Sequence, residues 1–298
     1  MCIRLMSRLF LLTVVSGLLG LGLPATAGAA GPWKSALRIE SPEKDFHLTP
    51  LRLALDRQRQ RLYVVDAVAG MIIAYDSEGA EKARFNASGE LREPVAMVRD
   101  RQGGIWVSDR ASNQLFHIGL KSKRIERFTV RHRDGRRVVP DRLELDRERN
   151  LLLLDRNAGR ILKYDAHLNL LTEYQGPSRF IFTDFRLHQQ ELWALDPVRQ
   201  ALVIFSAAGR YLRQLDLKGL ELEFPYAFAF GPENNLYLLD RHAGQIVVCD
   251  THARLRYRFF TPGRYPGHLR YPSDLLFDWQ GRLCVADEGN GRIEIMSR

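Results

Sequence analysis

RLCVADEGNGRIEIMSR, residues Arg282 to Arg298, reads as an apolar strand ending in Asp287, a four-residue loop closing in Gly291, and a second apolar strand. The same pattern occurs five more times upstream. The strand-ending acids are Asp66, Asp109, Asp155, Asp196, Asp240 and Asp287. Four positions after each stands Gly70, Asn113, Gly159, Gln200, Gly244 or Gly291, and two further on comes Ile72, Leu115, Ile161, Leu202, Ile246 or Ile293. No insertion breaks this spacing, and the copies recur every 41 to 47 residues. Strand-turn-strand units at that period point to the blades of a propeller, four strands to a blade.

Each hairpin is preceded by another strand, opening at Pro50, Pro94, Pro140, Phe182, Pro225 or Pro272. Proline suits a strand's first residue because it lacks the amide donor that the middle of a ladder requires. A fourth strand follows the hairpin in the first five copies, for example ARFN after Lys82 and LRYRFF from Leu255. The sixth copy stops at Arg298 before its fourth strand, and SALRIES, from Ser35 to Ser41, is the replacement. Pairing of that segment with the last hairpin would close the ring without a free sheet edge. The expectation is an all-β chain: a six-bladed β-propeller of four-stranded antiparallel blades over residues 33–298, closed by an N-terminal strand that completes the last blade. The longest connections, Val130 to Pro140 and Pro262 to Pro272, read as insertions between blades.

Residues 1–27 read as a signal peptide. Arg4 and Arg8 precede an apolar run from Leu9 to Leu23, then Pro24 and the small residues ATAGAA, with cleavage after Ala27 or as far on as Ala30. The apolar run is shorter than the roughly 20 residues that span a bilayer. An exported protein, periplasmic or extracellular, is therefore expected. Without that segment the formal charge falls from +9 to +7, with 42 basic and 35 acidic residues. Cys249 and Cys284 remain, both in strand columns filled elsewhere by apolar residues. They read as core residues, and export also permits a disulfide between them.

Opening proline, apolar strand, turn, apolar strand, Asp, and a loop ending N-G-R-I as in Asn290 to Ile293 together resemble the NHL repeat. The resemblance runs over residues 50–298 and implies a six-bladed β-propeller. NHL propellers include protein-binding and RNA-binding modules and an amidating lyase, so the resemblance leaves function open. The lyases carry metal-binding histidines at two sites just after the strand-opening proline and at one in a hairpin loop. Here the residues after the opening positions are Leu51, Val95, Asp141, Thr183, Tyr226 and Ser273, and the hairpin loops offer His242 alone. A catalytic zinc site of that kind needs three imidazoles around an open position. The Glu, Asn and Asp set of glucono-lactonase-like propellers cannot be assembled by register either. No Gly-rich phosphate loop or G-x-S-x-G elbow is present, so no cofactor is expected. A metal-dependent enzyme resembling the lyase or lactonase stays as the alternative to a non-enzymatic scaffold.

The remaining histidines, His47, His117, His132, His167, His188, His252 and His268, scatter over different repeat positions. His132 and His268 lie in the longest connections and are expected to be solvated. The six strand-ending Asp residues, like Asp56, Asp100, Asp146 and Asp278, suit acceptors for turn amides rather than a metal ring.

Charge supplies the functional candidates. In such a ring the inter-blade and hairpin loops emerge on one face, and over the hairpin loops and the five connections from Asn86 to Pro272 thirteen basic residues stand against six acidic ones. An Arg-rich composition, 37 Arg to 7 Lys, contributes to that excess. Position adds to it: Arg110, Arg156 and Arg241 each follow a strand-ending Asp, and Arg52 and Arg142 stand two after an opening proline, at the expected channel mouth. Arg131, Arg133, Arg136 and Arg137 are expected at the rim. Tyr265 and Tyr271 accompany the bases in RYPGHLRYP. Basic and aromatic surfaces also bind nucleic acid, but export favours an acidic protein or an anionic ligand or glycan as partner.

Overall fold

The computed structural model describes residues 32–41, 43 and 45–298; the signal peptide expected over residues 1–27 lies outside the described residues. Six four-stranded antiparallel sheets form the ring. Blade one holds strands Pro50–Asp56, Arg61–Asp66, Met71–Tyr75 and Glu81–Phe85. Blades two to five repeat that order from Pro94, Pro140, Asp184 and Pro225. Blade six holds Asp274–Phe277, Leu283–Asp287 and Arg292–Ser297, and its fourth strand is Lys34–Glu40. That strand runs antiparallel to the last one, with Ile39 opposite Ile293. Trp33 continues the closure: its ring stacks 6.5 Å from Phe259 of blade five, and the Arg298 guanidinium lies over it at 5.4 Å.

The repeat columns have a backbone cause. The fourth residue after each strand-ending Asp has positive φ in all six copies, from 50° at Gln200 to 66° at Gly70 and Gly291. Glycine and amides tolerate that conformation best, which fixes the column. At Gly159 a Cβ would also collide with the Phe180 carbonyl. In blades one, two, three and five the ladder shifts register just after the opening proline, as between Pro50 and Arg52. Blades four and six start pairing two residues later, at Asp184 and Asp274.

Six separate apolar clusters fill the six seams between blades. Each blade therefore buries side chains on both faces of its sheet, which is why its middle strands, such as Leu151–Asp155, are continuously buried rather than alternating. Cys249 and Cys284 fall in different seams, both buried and free. Burial pushes the Cys249 thiol up to about 12 and raises Cys284 as well. They are core residues, as one of the two sequence readings has it.

Candidate functional site

The strand-ending acids organise one face. Asp109 accepts from Ser112 N at 2.9 Å in its own hairpin loop and from Arg92 N and Glu93 N, at 2.8 and 2.7 Å, in the preceding inter-blade loop. Asp66, Asp196 and Asp240 repeat this double grip. Each acid thus pins a hairpin loop to the connection entering its blade. The turn-amide role expected from sequence holds, and the grip on the upstream loop adds to it. Asp56, Asp100, Asp146 and Asp278 likewise bind amides of their own turns.

Around the axis, the column two after the opening position reads Arg52, Ala96, Arg142, Asp184, Ala227 and Asp274. Two arginines are therefore matched by two acids. Arg142 Nη1 is 2.9 Å from Asp274, and its Nε 3.0 Å from Asp184. Arg186, two positions further along blade four, bridges the same acids at 2.6 and 3.2 Å. Arg52 donates to the Ser273 carbonyl at 2.7 Å. The acids also fasten neighbouring blades, with Asp184 accepting from Phe228 N and Asp274 from Leu53 N. The Arg142, Arg186 and Arg52 guanidiniums hold the Asp274 carboxyl down at about 2 against the cost of its burial. Glu144, deeper in blade three, accepts from Leu187 N, and burial lifts it to about 7.

This corrects the expected channel mouth. Arg52 and Arg142 are 3% and 9% exposed, built into the wall of the axis rather than presented at its opening. Sequence reasoning counted the arginines of that column and passed over Asp184 and Asp274 in the same register.

On the loop face the other candidates separate. Arg110 is bound to Glu93 at 2.7 Å and lies 3.5 Å from Asp141. Arg241 is bound to Glu288 at 2.8 Å and packs over Tyr226 and Tyr271. Arg156 is exposed and has no carboxylate partner among the described residues. The rim arginines Arg131, Arg133, Arg136 and Arg137 are all exposed, and among the described residues Arg136 alone of the four pairs with an acid, Asp134 at 2.7 Å. Arg179, not singled out from sequence, joins them across a groove of about 520 Å³ lined by Arg136, Asn157, Arg160, Ser178 and Phe180 and by no acid.

His132 departs from expectation. It is 6% exposed, with Nε2 2.6 Å from Asp155. The rim loop folds back as a small hairpin, through Val138 N to Val130 O and His132 N to Arg136 O, and carries the imidazole inward as its anchor. His268 is half-buried, with Nδ1 3.1 Å from the Pro266 carbonyl. Among the described residues, no three His, Cys, Asp or Glu side chains gather as a metal-ligand set.

Comparison with known proteins agrees with the geometry. A family model described as NHL repeat matches residues 269–296. The ring is similar to virginiamycin B lyase from Staphylococcus aureus, with TM-score 0.66 and 14% identity over 89% of this chain and 99% of that one. It is also similar to a gluconolactonase from Xanthomonas campestris, with TM-score 0.66 and 11% identity over 88% and 98% of the two chains. An auxiliary nutrient binding protein from Bacteroides thetaiotaomicron matches at TM-score 0.64 and 14% identity, over 84% of this chain and 69% of that one. At such identities the likeness shows the fold alone, and that fold serves two enzymes and a binding protein. With six blades in register, the chain is a six-bladed β-propeller whose last repeat matches the NHL repeat model.

Proposed function

We propose that the protein is an exported, non-enzymatic recognition module that binds an acidic protein on its loop face. One observation carries this reading. Of the seven large apolar side chains exposed among the described residues, five stand in loops of that face: Val68, Ile181, Val198, Tyr265 and Tyr271. They share it with the exposed arginines, and arginine and tyrosine are the residues that anchor protein interfaces. Arg also loses less freedom per hydrogen bond than Lys when it grips a carboxylate, which fits a face whose basic residues are almost all Arg.

The centre of the site lies between blades three and four. Arg110 and Arg241 are already held by acids, so an incoming carboxylate would have to displace Glu93 or Glu288. Arg156, Arg179, Arg133 and Arg137 meet no such competitor among the described residues, and Arg179 lines the acid-free groove with Arg136 and Arg160. Arg52 and Arg142 serve the ring itself on this reading.

The test is to isolate an acidic partner from the exported fraction, reconstitute it with purified propeller, and measure affinity against added salt. Binding that weakens steeply with salt and with Arg156→Ala supports the proposal. Stoichiometric zinc or calcium in the purified protein, with lyase or lactonase turnover, would replace it with the enzyme reading.

A further inference from the structure

Arg52 stands apart from the other axial guanidiniums. Arg142 and Arg186 each contact two carboxylates, whereas Arg52 has none within 4.0 Å among the described residues. Its side chain donates to one backbone carbonyl, Ser273 O, and lies 5.2 Å from the Tyr226 ring, while Nε has no hydrogen-bond partner. It is nonetheless 3% exposed. A cation so far removed from water calls for a counter-charge, because burial strips its hydration.

The nearby acids are committed elsewhere. Asp184 and Asp274 each serve both Arg142 and Arg186. Asp56 is bound by Arg99 at 2.9 Å and Arg59 at 3.2 Å, and Asp141 lies against Arg110. Glu144 faces the Leu187 amide, and burial keeps its carboxyl protonated up to about 7. Three guanidiniums thus share the carboxylates of Asp184 and Asp274, and Arg52 is the one that reaches neither within salt-bridge distance. Along blades one to three the axis also opens into a cavity of about 120 Å³. Arg52, Arg142 and Glu144 give it a polar side, and Ala54, Ala96 and Leu143 an apolar one. The small residues are what make the room, since Ala96 occupies the column that carries Arg in the two flanking blades.

We propose that this axial cavity is a binding site for one small carboxylate anion, held by the guanidinium of Arg52 with Arg142 beside it. The fork of a guanidinium matches the two oxygens of a carboxylate. The volume equals that of about four waters at roughly 30 Å³ each, enough for a short-chain acid whose alkyl end lies against Ala54 and Ala96. The site is independent of the loop-face reading, since none of the exposed arginines lines it.

The experiment uses the purified chain without its signal segment, sodium acetate as the probe, and sodium chloride at equal ionic strength as the control. Acetate should raise the unfolding temperature saturably and broaden the carbon-13 line of labelled acetate, and chloride should do neither. Adamantane-1-carboxylate, too large for the cavity, should not compete. Arg52→Gln removes the charge and Ala96→Leu fills the space without touching it; each should weaken acetate binding at least tenfold. Acetate and chloride acting alike on the parent protein, or competition by the bulky acid, would overturn the assignment without reference to either variant. An undiminished acetate response in folded Ala96→Leu would overturn it as well.

Discussion

Arg142 of blade three reaches across the ring axis to Asp274 of blade six, with Nη1 2.9 Å from Oδ2. The two residues are 132 positions apart and occupy the same column of their repeats. Their contact, shared with Asp184 and Arg186, links opposite blades directly and makes the middle of the ring a closed ionic network. Removing one member leaves charge buried without its partner. Arg142→Met should therefore cost about 3–5 kcal/mol of stability. Arg142→Met combined with Asp274→Leu should cost less than the two single changes added together, as a double-mutant cycle in urea would measure. Additive losses would mean that the contact across the axis contributes nothing of its own.

Glu144 gives the ring a pH dependence. Its carboxyl stays protonated up to about 7 in the fold, against 4.5 as its ordinary value, because burial penalises the charge more than Arg186 and Arg142 offset it. The folded state thus binds an extra proton between those values. Stability from this source is complete below the ordinary value and is lost as pH rises through about 7, amounting to at most about 3 kcal/mol at 1.36 kcal/mol per unit. Glu144→Gln, which keeps an acceptor for Leu187 N, should flatten that part of the curve of unfolding free energy against pH. A variant whose curve overlays the parent's would place the titration elsewhere.

The strand-ending acids should prove structural. Asp109 is fully buried and accepts from three backbone amides and the Ser112 hydroxyl. Asp109→Ala strands those donors and should cost about 3 kcal/mol, near the upper end for a bond to a charged group. Asp134→Ala, at an exposed ion pair of the rim, should change stability by less than about 1 kcal/mol. Chemical denaturation of the two variants compares them directly.

These contrasts show what the sequence made legible. The Pro and Asp columns could be read because they answer backbone requirements that recur in every copy: a missing donor at a strand's start, and acceptors for turn amides at another strand's end. The positive φ four residues after each Asp belongs to the same class. Side-chain pairing across the ring does not, because Arg142 and Asp274 meet through closure of the whole ring and not through any local pattern. Their shared column held the signal, but only a comparison of charge from blade to blade would have exposed it. His132 was misread for a related reason: the rim connection looks like a solvated loop until its hairpin bonds turn the imidazole onto Asp155. Arg179 was passed over because it follows no strand-ending Asp.

Closure offers a further test. Ile39 is 2% exposed and faces Ile293 in the seam between blades six and one. Ile39→Asp places a charge there and should release the closing strand, leaving Arg292–Ser297 as an open edge. Size-exclusion chromatography should then show association beyond that of the parent. A monodisperse variant with the parent's unfolding temperature would mean that the closing strand is dispensable.

The central claim concerns the loop face, and one affinity series addresses it most directly. An acidic partner reconstituted with the propeller would be titrated against the parent, Arg156→Ala, Arg179→Ala, and Arg110→Ala as the acid-held control. The account predicts that each of the first two loses about 1.5–3 kcal/mol of binding, the range for hydrogen bonds to charged groups. Arg110→Ala should lose less than about 1 kcal/mol, since Glu93 already occupies its guanidinium. Undiminished binding by folded Arg156→Ala and Arg179→Ala would contradict the account and move the recognition surface off the loop face between blades three and four.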